Sequence, residues 1–203
     1  GDIDFDAVLG GDQLNVVGTI DIDDALLDAD GTVPLTVPFG AFTIVNNDGA
    51  DAVSGVFTRP NGNTIADGES VIAGITPFEI DYQFDDATKT PNTGNDVALV
   101  EDSDPVIDTD PLGNDIHDDI RIVRDTVAGT PVVQMYVDGN LELQAAYSSL
   151  ISLTINASLG SDRLTLDFSN GNPLPSPGGI IFDAGEGLED AASATAAGEA
   201  AGP

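Results

Sequence analysis

Apolar residues recur at every second position over short runs, and that period belongs to strands. Leu14, Val16, Gly18, Ile20 and Ile22 form one run, Phe78, Ile80, Tyr82 and Phe84 a second, and Leu164, Leu166 and Phe168 a third. Successive side chains of an extended chain point to opposite faces, so each run marks a half-buried strand. Turn-forming clusters punctuate the runs: Asn46-Asn47-Asp48-Gly49, Arg59-Pro60-Asn61-Gly62, Asn92-Thr93-Gly94-Asn95 and Ser169-Asn170-Gly171-Asn172-Pro173. Asp138-Gly139, set between Val132 to Val137 and Leu141-Glu142-Leu143, predicts a tight hairpin. Helix is scarce by the same test. Asp24 to Leu27, Tyr147 to Ile151 and the Ala-rich end have room for a turn or two, and none carries a 3.6-residue apolar stripe. The pattern predicts an all-β chain of elongated, stacked-strand architecture, either parallel β-helix-like or a mixed β-sandwich, because alternation fits both.

Breaks in the pattern divide the chain. Residues 1–100 read as one β-rich module and residues 120–190 as a second. Residues 101–119 read as an acidic junction: Glu101 to Asp119 holds eight acids and no Lys or Arg, and Asp104-Pro105 and Asp110-Pro111 interrupt any regular element. Residues 191–203 are small and low in complexity, which predicts a tail or linker, or a strap that orders only against a neighbour. The first residue is Gly, so the chain reads as a processed product or an excerpt of something longer.

Charge then narrows what the chain does. There are 36 acids, 29 of them Asp, against 5 bases, for a formal net charge of −31. Such a fold repels itself unless salt, cations or bound Ca²⁺ offset the field. Val, Ile, Leu and Phe are interleaved throughout, which sets the chain apart from a disordered acidic tail. Five bases argue against binding nucleic acid or anionic lipid, and the absence of 18 consecutive apolar residues predicts no membrane span. With no Cys and one His, Cys/His catalysis is excluded, and a Ser-His-Asp triad would have to recruit His117 from the most irregular stretch. No Trp and only three Tyr leave few platforms for a sugar, and among 36 acids any two pair by chance, so a non-catalytic chain is expected.

The acids themselves are the candidate ligands. Asp21, Asp23, Asp24, Asp28 and Asp30, followed by Gly31, offer closely spaced hard oxygens, the donors that Ca²⁺ takes six to eight of. A solvated turn is the competing reading, since the spacing is not that of an EF-hand. Asp102, Asp104, Asp108, Asp110, Asp115, Asp118 and Asp119 form a second cluster at the junction, either an inter-module Ca²⁺ site or a self-repelling linker. His117 alone lacks the nitrogen or sulfur partners of a Zn²⁺ site and reads as a surface residue. Lys89, in a turn-like stretch, is poorly placed for a core cross-link to Asn, and Asn156-Ala157-Ser158 matches the N-glycosylation triplet.

Two stretches carry a family resemblance. FTIVNNDGADAVSGVF, then FEIDYQF and TGNDVALV, all between Phe42 and Val100, resemble the closing segment of autotransporter-associated and related giant bacterial surface proteins. DDIRIVRD, VVQMYVDGNLELQ and the run from Ser148 to Asp190 resemble modules of large planctomycete-type secreted proteins that lead into hemolysin-type Ca²⁺-binding repeats. Gly160-Ser161-Asp162-Arg163-Leu164 keeps the G-x-D-x-U half of that repeat, which implies Asp162 as a ligand, and Ala184 to Glu189 keeps its frame with Ala for Gly and Glu for Asp. The resemblance implies an exported, cell-surface, multi-module protein. The expected role is a non-catalytic structural module that assembles into a filament, stalk or surface layer with itself or neighbouring modules, with Ca²⁺ in its acidic turns. An adhesin-type module for glycan or another cell is the alternative, and a polysaccharide-active β-helix enzyme fragment comes after it.

Overall fold

A computed structural model of the chain describes residues 3–6, 13–23, 25–30, 40–47, 51–110, 117–185 and 191–196. It is all-β, with 17 strands and no helix among the described residues. The chain divides into two compact units, Gly1–Asp102 and Ser103–Pro203.

The first unit holds β1 (Ile3–Asp6), β2 (Leu14–Val16), β3 (Ile20–Asp21), β4 (Leu27–Asp30), β5 (Ala41–Asn47), β6 (Val53–Ser54), β7 (Ser70–Ala73), β8 (Thr76–Phe84) and β9 (Asp96–Glu101). Its opening is two passes of chain laid one on the other. β4 pairs parallel to β1, β5 to β2 and β6 to β3, so that each strand of the second pass lies beside its counterpart in the first. The far side of β5 is then closed by antiparallel pairing, in the order β2-β5-β9-β8-β7. Ile22, Leu27, Ile44, Val45, Phe57, Ile65, Phe78, Ile80 and Val97 are among the buried residues of its core. Phe42 meets Phe78 edge to face at 5.6 Å between centroids. The alternation read at Phe78, Ile80, Tyr82 and Phe84 lies within β8, where Tyr82 is the half-buried member. Its hydroxyl accepts from the Phe57 N–H and donates to the Ile65 carbonyl, both at 2.9 Å, and burial pushes the phenol up to about 12.

The second unit holds β10 (Val106–Asp108), β11 (Asp119–Val127), β12 (Thr130–Val137), β13 (Asn140–Ala146), β14 (Ser152–Asn156), β15 (Arg163–Phe168), β16 (Gly179–Asp183) and β17 (Ala191–Ala196). Here three passes stack. β10, β14 and β16 form one parallel sheet, while β11, β15 and β17 form the parallel part of another. The free side of β11 is covered by the antiparallel pair β12 and β13. Those two strands are joined at Asp138 (φ 51°) and Gly139 (φ 83°), the two positive angles that an Asp-Gly hairpin turn requires. Ile107, Ile120, Ile122, Met135, Leu143, Leu153 and Ile155 are buried.

Two stretches are strands that the alternation did not single out. Residues 106–108, inside the stretch read as an acidic junction, form β10, in which Ile107 is buried between the exposed Val106 and Asp108 and pairs with Ile155. Ala191–Ala196, read as a tail, linker or strap, is β17, ordered along the whole of β15. Its pairing rests on backbone hydrogen bonds, which small side chains supply as well as large ones do.

Successive turns lie close enough to exclude a side chain. A Cβ on Gly55 (φ 84°) would sit 2.5 Å from the Asp23 backbone nitrogen in the pass beneath, and one on Gly185 (φ 68°) would overlap the Ser158 carbonyl oxygen. Gly55→Ala and Gly185→Ala are each expected to cost about 2 kcal/mol or more, read as a lowered urea midpoint at unchanged m-value.

Candidate metal centre

Several acids of the first unit accept from backbone N–H groups. Asp21 Oδ1 accepts from the Asp23 N–H at 3.1 Å, and Asp23 Oδ1 from the Val56 N–H at 3.3 Å; both residues are exposed turn caps. Asp28 is exposed on β4 and in register with Asp4, as Asp30 is with Asp6. Asp24 lies outside the described residues. Asp102 is buried and accepts from the Ser70 hydroxyl at 2.6 Å. Two further buried acids were not singled out from sequence. Asp96 accepts from the Asn47 N–H at 2.7 Å and the Asp86 N–H at 2.8 Å, and Asp81 from the Gln83 and Asn92 N–H groups at 2.7 and 2.9 Å. Both oxygens of each are satisfied, so these carboxylates tie turns to strands. The signal for Asp96 was present in TGNDV, where it follows the turn and opens β9.

The second unit is different. Asp110, Asp118 and Asp162 are 5%, 4% and 0% exposed. Asp118 directly precedes β11 and Asp162 directly precedes the paired strand β15, so the two occupy equivalent places in successive passes. Asp162 Oδ1 accepts from the Asp118 N–H at 2.9 Å, and Thr109 donates its hydroxyl to Asp118 Oδ2 at 2.6 Å. Asp110 Oδ2 is buried with no hydrogen-bond partner. Its neighbour Asp108 is exposed and accepts from the Asp110 N–H at 3.1 Å and the Ser158 hydroxyl at 3.3 Å. Asp104 is exposed and accepts from the Ser103 hydroxyl at 3.3 Å. Asp119 points elsewhere, into an ion pair with Arg163, and that guanidinium holds its carboxyl below the usual range. His117 is exposed, and Asp115 lies outside the described residues.

Electrostatics single out Asp118 within the trio. Burial, with the charges of Asp162, Asp138 and Asp110, raises the Asp118 carboxyl above its ordinary value, against the lowering effect of the Thr109 hydrogen bond. No base offsets it. Arg59 pairs with Glu69, Lys89 with Asp86, Arg121 with Asp167 and Arg163 with Asp119, while Arg124 stacks on Tyr147 at 4.2 Å from the ring centroid. Those are all five Lys and Arg residues of the chain.

The donor set is hard oxygen, and a buried carboxylate oxygen without a donor is what a Ca²⁺ ion would satisfy, with water and carbonyl oxygens completing its shell. Among the described residues, no three acid, His or Cys side chains form a ready-made ligand group. Any metal therefore has to draw the trio together. A shallow depression elsewhere on the same unit is lined by Asp119, Arg121, Tyr136, Gly139, Arg163 and Thr165. Both of its arginines are already committed to carboxylates. No described helix is long and apolar enough to cross a membrane. Compared with known proteins, the chain matches no family model, no curated protein and no solved structure.

A carboxyl raised by folding binds its proton more tightly in the native state. Its contribution to stability is therefore full below the unfolded value near 3.8 and is lost as pH rises through the higher folded one. Asp118→Asn keeps an oxygen for Thr109 and removes the charge. In chelating buffer at pH 7 it is expected to raise stability by about 1 kcal/mol, and the gain should vanish near pH 3. Thermal melts of both proteins across that range measure it.

Proposed function

We propose that this chain is a non-catalytic structural module of an exported bacterial surface protein, in which Ca²⁺ is held at Asp110, Asp118 and Asp162 and locks the stacked passes of the second unit together. The observation that carries the reading is the burial of these three acids with every Lys and Arg of the chain engaged elsewhere. Like carboxylates at successive turns repel, and a divalent cation converts that repulsion into a clamp. Asp118 and Asp162 bring one ligand from each of two passes, and Asp110 brings one from the connection between β10 and β11. The ion supplies charge neutralisation and fixed geometry. The export and surface setting rest on the resemblance of the 42–100 and 115–190 stretches to bacterial surface proteins.

Catalysis is disfavoured because the acids that gather are buried, out of reach of a polymeric substrate. The adhesin reading ranks second and rests on the depression beside Tyr136, where Arg121 lies 5.5 Å from the ring centroid. Its weakness is that both guanidinium groups there are closed off by the chain's own acids.

Melting in Ca²⁺ and in EDTA, at matched ionic strength, tests the metal. Calcium at 100 times its Kd should add about 2.7 kcal/mol. Asp110→Asn combined with Asp162→Asn should abolish the gain, whereas Asp28→Asn on β4 should leave it intact. Superimposable curves for the unaltered protein would remove Ca²⁺ from the reading and leave salt screening as the source of stability.

A further inference from the structure

Both units end in strands with one partner. Among the described residues, β1 and β2 pair only with β4 and β5, and β16 and β17 pair only with β14 and β15. In the first unit the open side lies before the first pass. In the second it lies after the last. The opposite sides of β5 and β11 are closed by antiparallel strands. A parallel stack adds passes in one order, so these two open sides are of opposite polarity and complementary.

The sequence at the two sides is also related. Ile3-Asp4-Phe5-Asp6-Ala7 with Gly10, Leu153-Thr154-Ile155-Asn156-Ala157 with Gly160, and Ile180-Ile181-Phe182-Asp183-Ala184 with Gly187 share one frame. Its members are an aliphatic residue, any residue, Phe or Ile, Asp or Asn, Ala, two further residues and Gly. The second and third occurrences already lie on one another in parallel register: Leu153 beside Ile180, Thr154 beside Ile181, Ile155 beside Phe182 and Asn156 beside Asp183. The frame therefore stacks on itself. Connection length agrees too, with seven residues between β1 and β2 and seven between β16 and β17. Burial shows what the last pass lacks: Leu153 and Ile155 are 0% exposed, whereas Ile180 and Phe182, at the same two places one pass later, are only half-buried.

We infer that the open edge of β16 and β17 receives β1 and β2 of a second copy of this chain, in parallel and in register, so that Ile3 lies beside Ile180, Phe5 beside Phe182 and Asp6 beside Asp183. Donor and acceptor sides are different strands of the chain, so the contact is heterologous and repeats without closing unless rotation brings it round. It gives the half-covered Ile180 and Phe182 a facing pass and gives edge N–H and C=O groups their partners. The column Asp108, Asn156, Asp183 already separates two acids with an amide. Asp6 would then place acid directly beside acid, so the joint calls for a screening cation. In this it rests on the structural-module reading above, and it names that module's partner and surface.

The chain has no cysteine, which makes cross-linking clean. Paired residues on adjacent strands sit about 4.8 Å apart, inside the span of roughly 4.4–6.8 Å that a disulfide bridges. Asp6→Cys and Asp183→Cys proteins are mixed in Ca²⁺ under mild oxidation and compared with each alone, with circular dichroism confirming that both fold. The mixed pair should form a cross-linked dimer faster than either protein alone by an order of magnitude or more, through proximity. An Asp4→Cys protein mixed with Asp183→Cys, two residues out of register, should fall well behind. Equal rates in all mixtures overturn the edge pairing. Sedimentation of the unaltered chain across concentration separates the two readings: assembly without the mixed-pair preference defeats this joint and leaves the assembling module. A monomer at every concentration, with the Ca²⁺ shift in melting retained, defeats self-stacking and leaves the metal.

Discussion

Parallel, in-register pairing stacks each residue beside its counterpart in the next pass, about 4.8 Å away. For apolar positions this is favourable, because like shapes pack in columns such as Ile107, Ile155 and Phe182. For a chain with 36 acids and 5 bases it is a standing problem, because the same rule lays carboxylate beside carboxylate. In the first unit Asp4 is in backbone register with Asp28, and Asp6 with Asp30. Much of the remaining structure can be understood as a set of answers to that repulsion.

One answer is to spend an acid on the backbone. Asp81 and Asp96 each accept two N–H groups, and Asp21, Asp23 and Asp67 cap turns or strand N–H groups near the surface. Another is to set base against acid across a pass. Arg163 reaches back to Asp119, and Arg121 reaches forward to Asp167, so two of the five bases both bridge β11 and β15. Exposed pairs of this kind add little stability each, but they neutralise one sheet face. A third answer is to leave parallel pairing altogether. β7 to β9 in the first unit and β12 to β13 in the second are antiparallel, and there Val, Ile, Phe and Leu fill the core positions without a column of acids.

Strand content was legible from period-2 alternation, and the Asp138-Gly139 hairpin from its dipeptide, because both signals are local. Pass-on-pass pairing was not. It joins residues 24 to 48 positions apart, such as Ile3 with Leu27 and Val106 with Thr154, and no local rule fixes which distant strand a half-buried strand will meet. β17 escaped for a related reason: AASATA has no hydrophobic alternation, and its place is set by β15. Of the acids chosen from sequence, Asp110, Asp118 and Asp162 are drawn into one buried neighbourhood, Asp119 is taken by Arg163, and Asp21 and Asp23 cap turns. Asp density could not make that division, because it depends on which N–H groups folding leaves nearby.

The division is what gives the second unit its chemistry. A buried carboxylate whose oxygens both meet N–H groups has exchanged water for fixed donors, and its charge is an asset of the fold. Asp81 and Asp96 are in that position, and a metal would have to compete with donors already in place. Asp110 keeps one buried oxygen without a donor, and Asp118 is held among three other acids. Deprotonated, such a group is a net cost; protonated, it loses the charge; bound to a cation, it keeps the charge and gains a partner. The turn that leaves a buried carboxylate oxygen without a donor is thus the turn at which a bound cation would have most to offer.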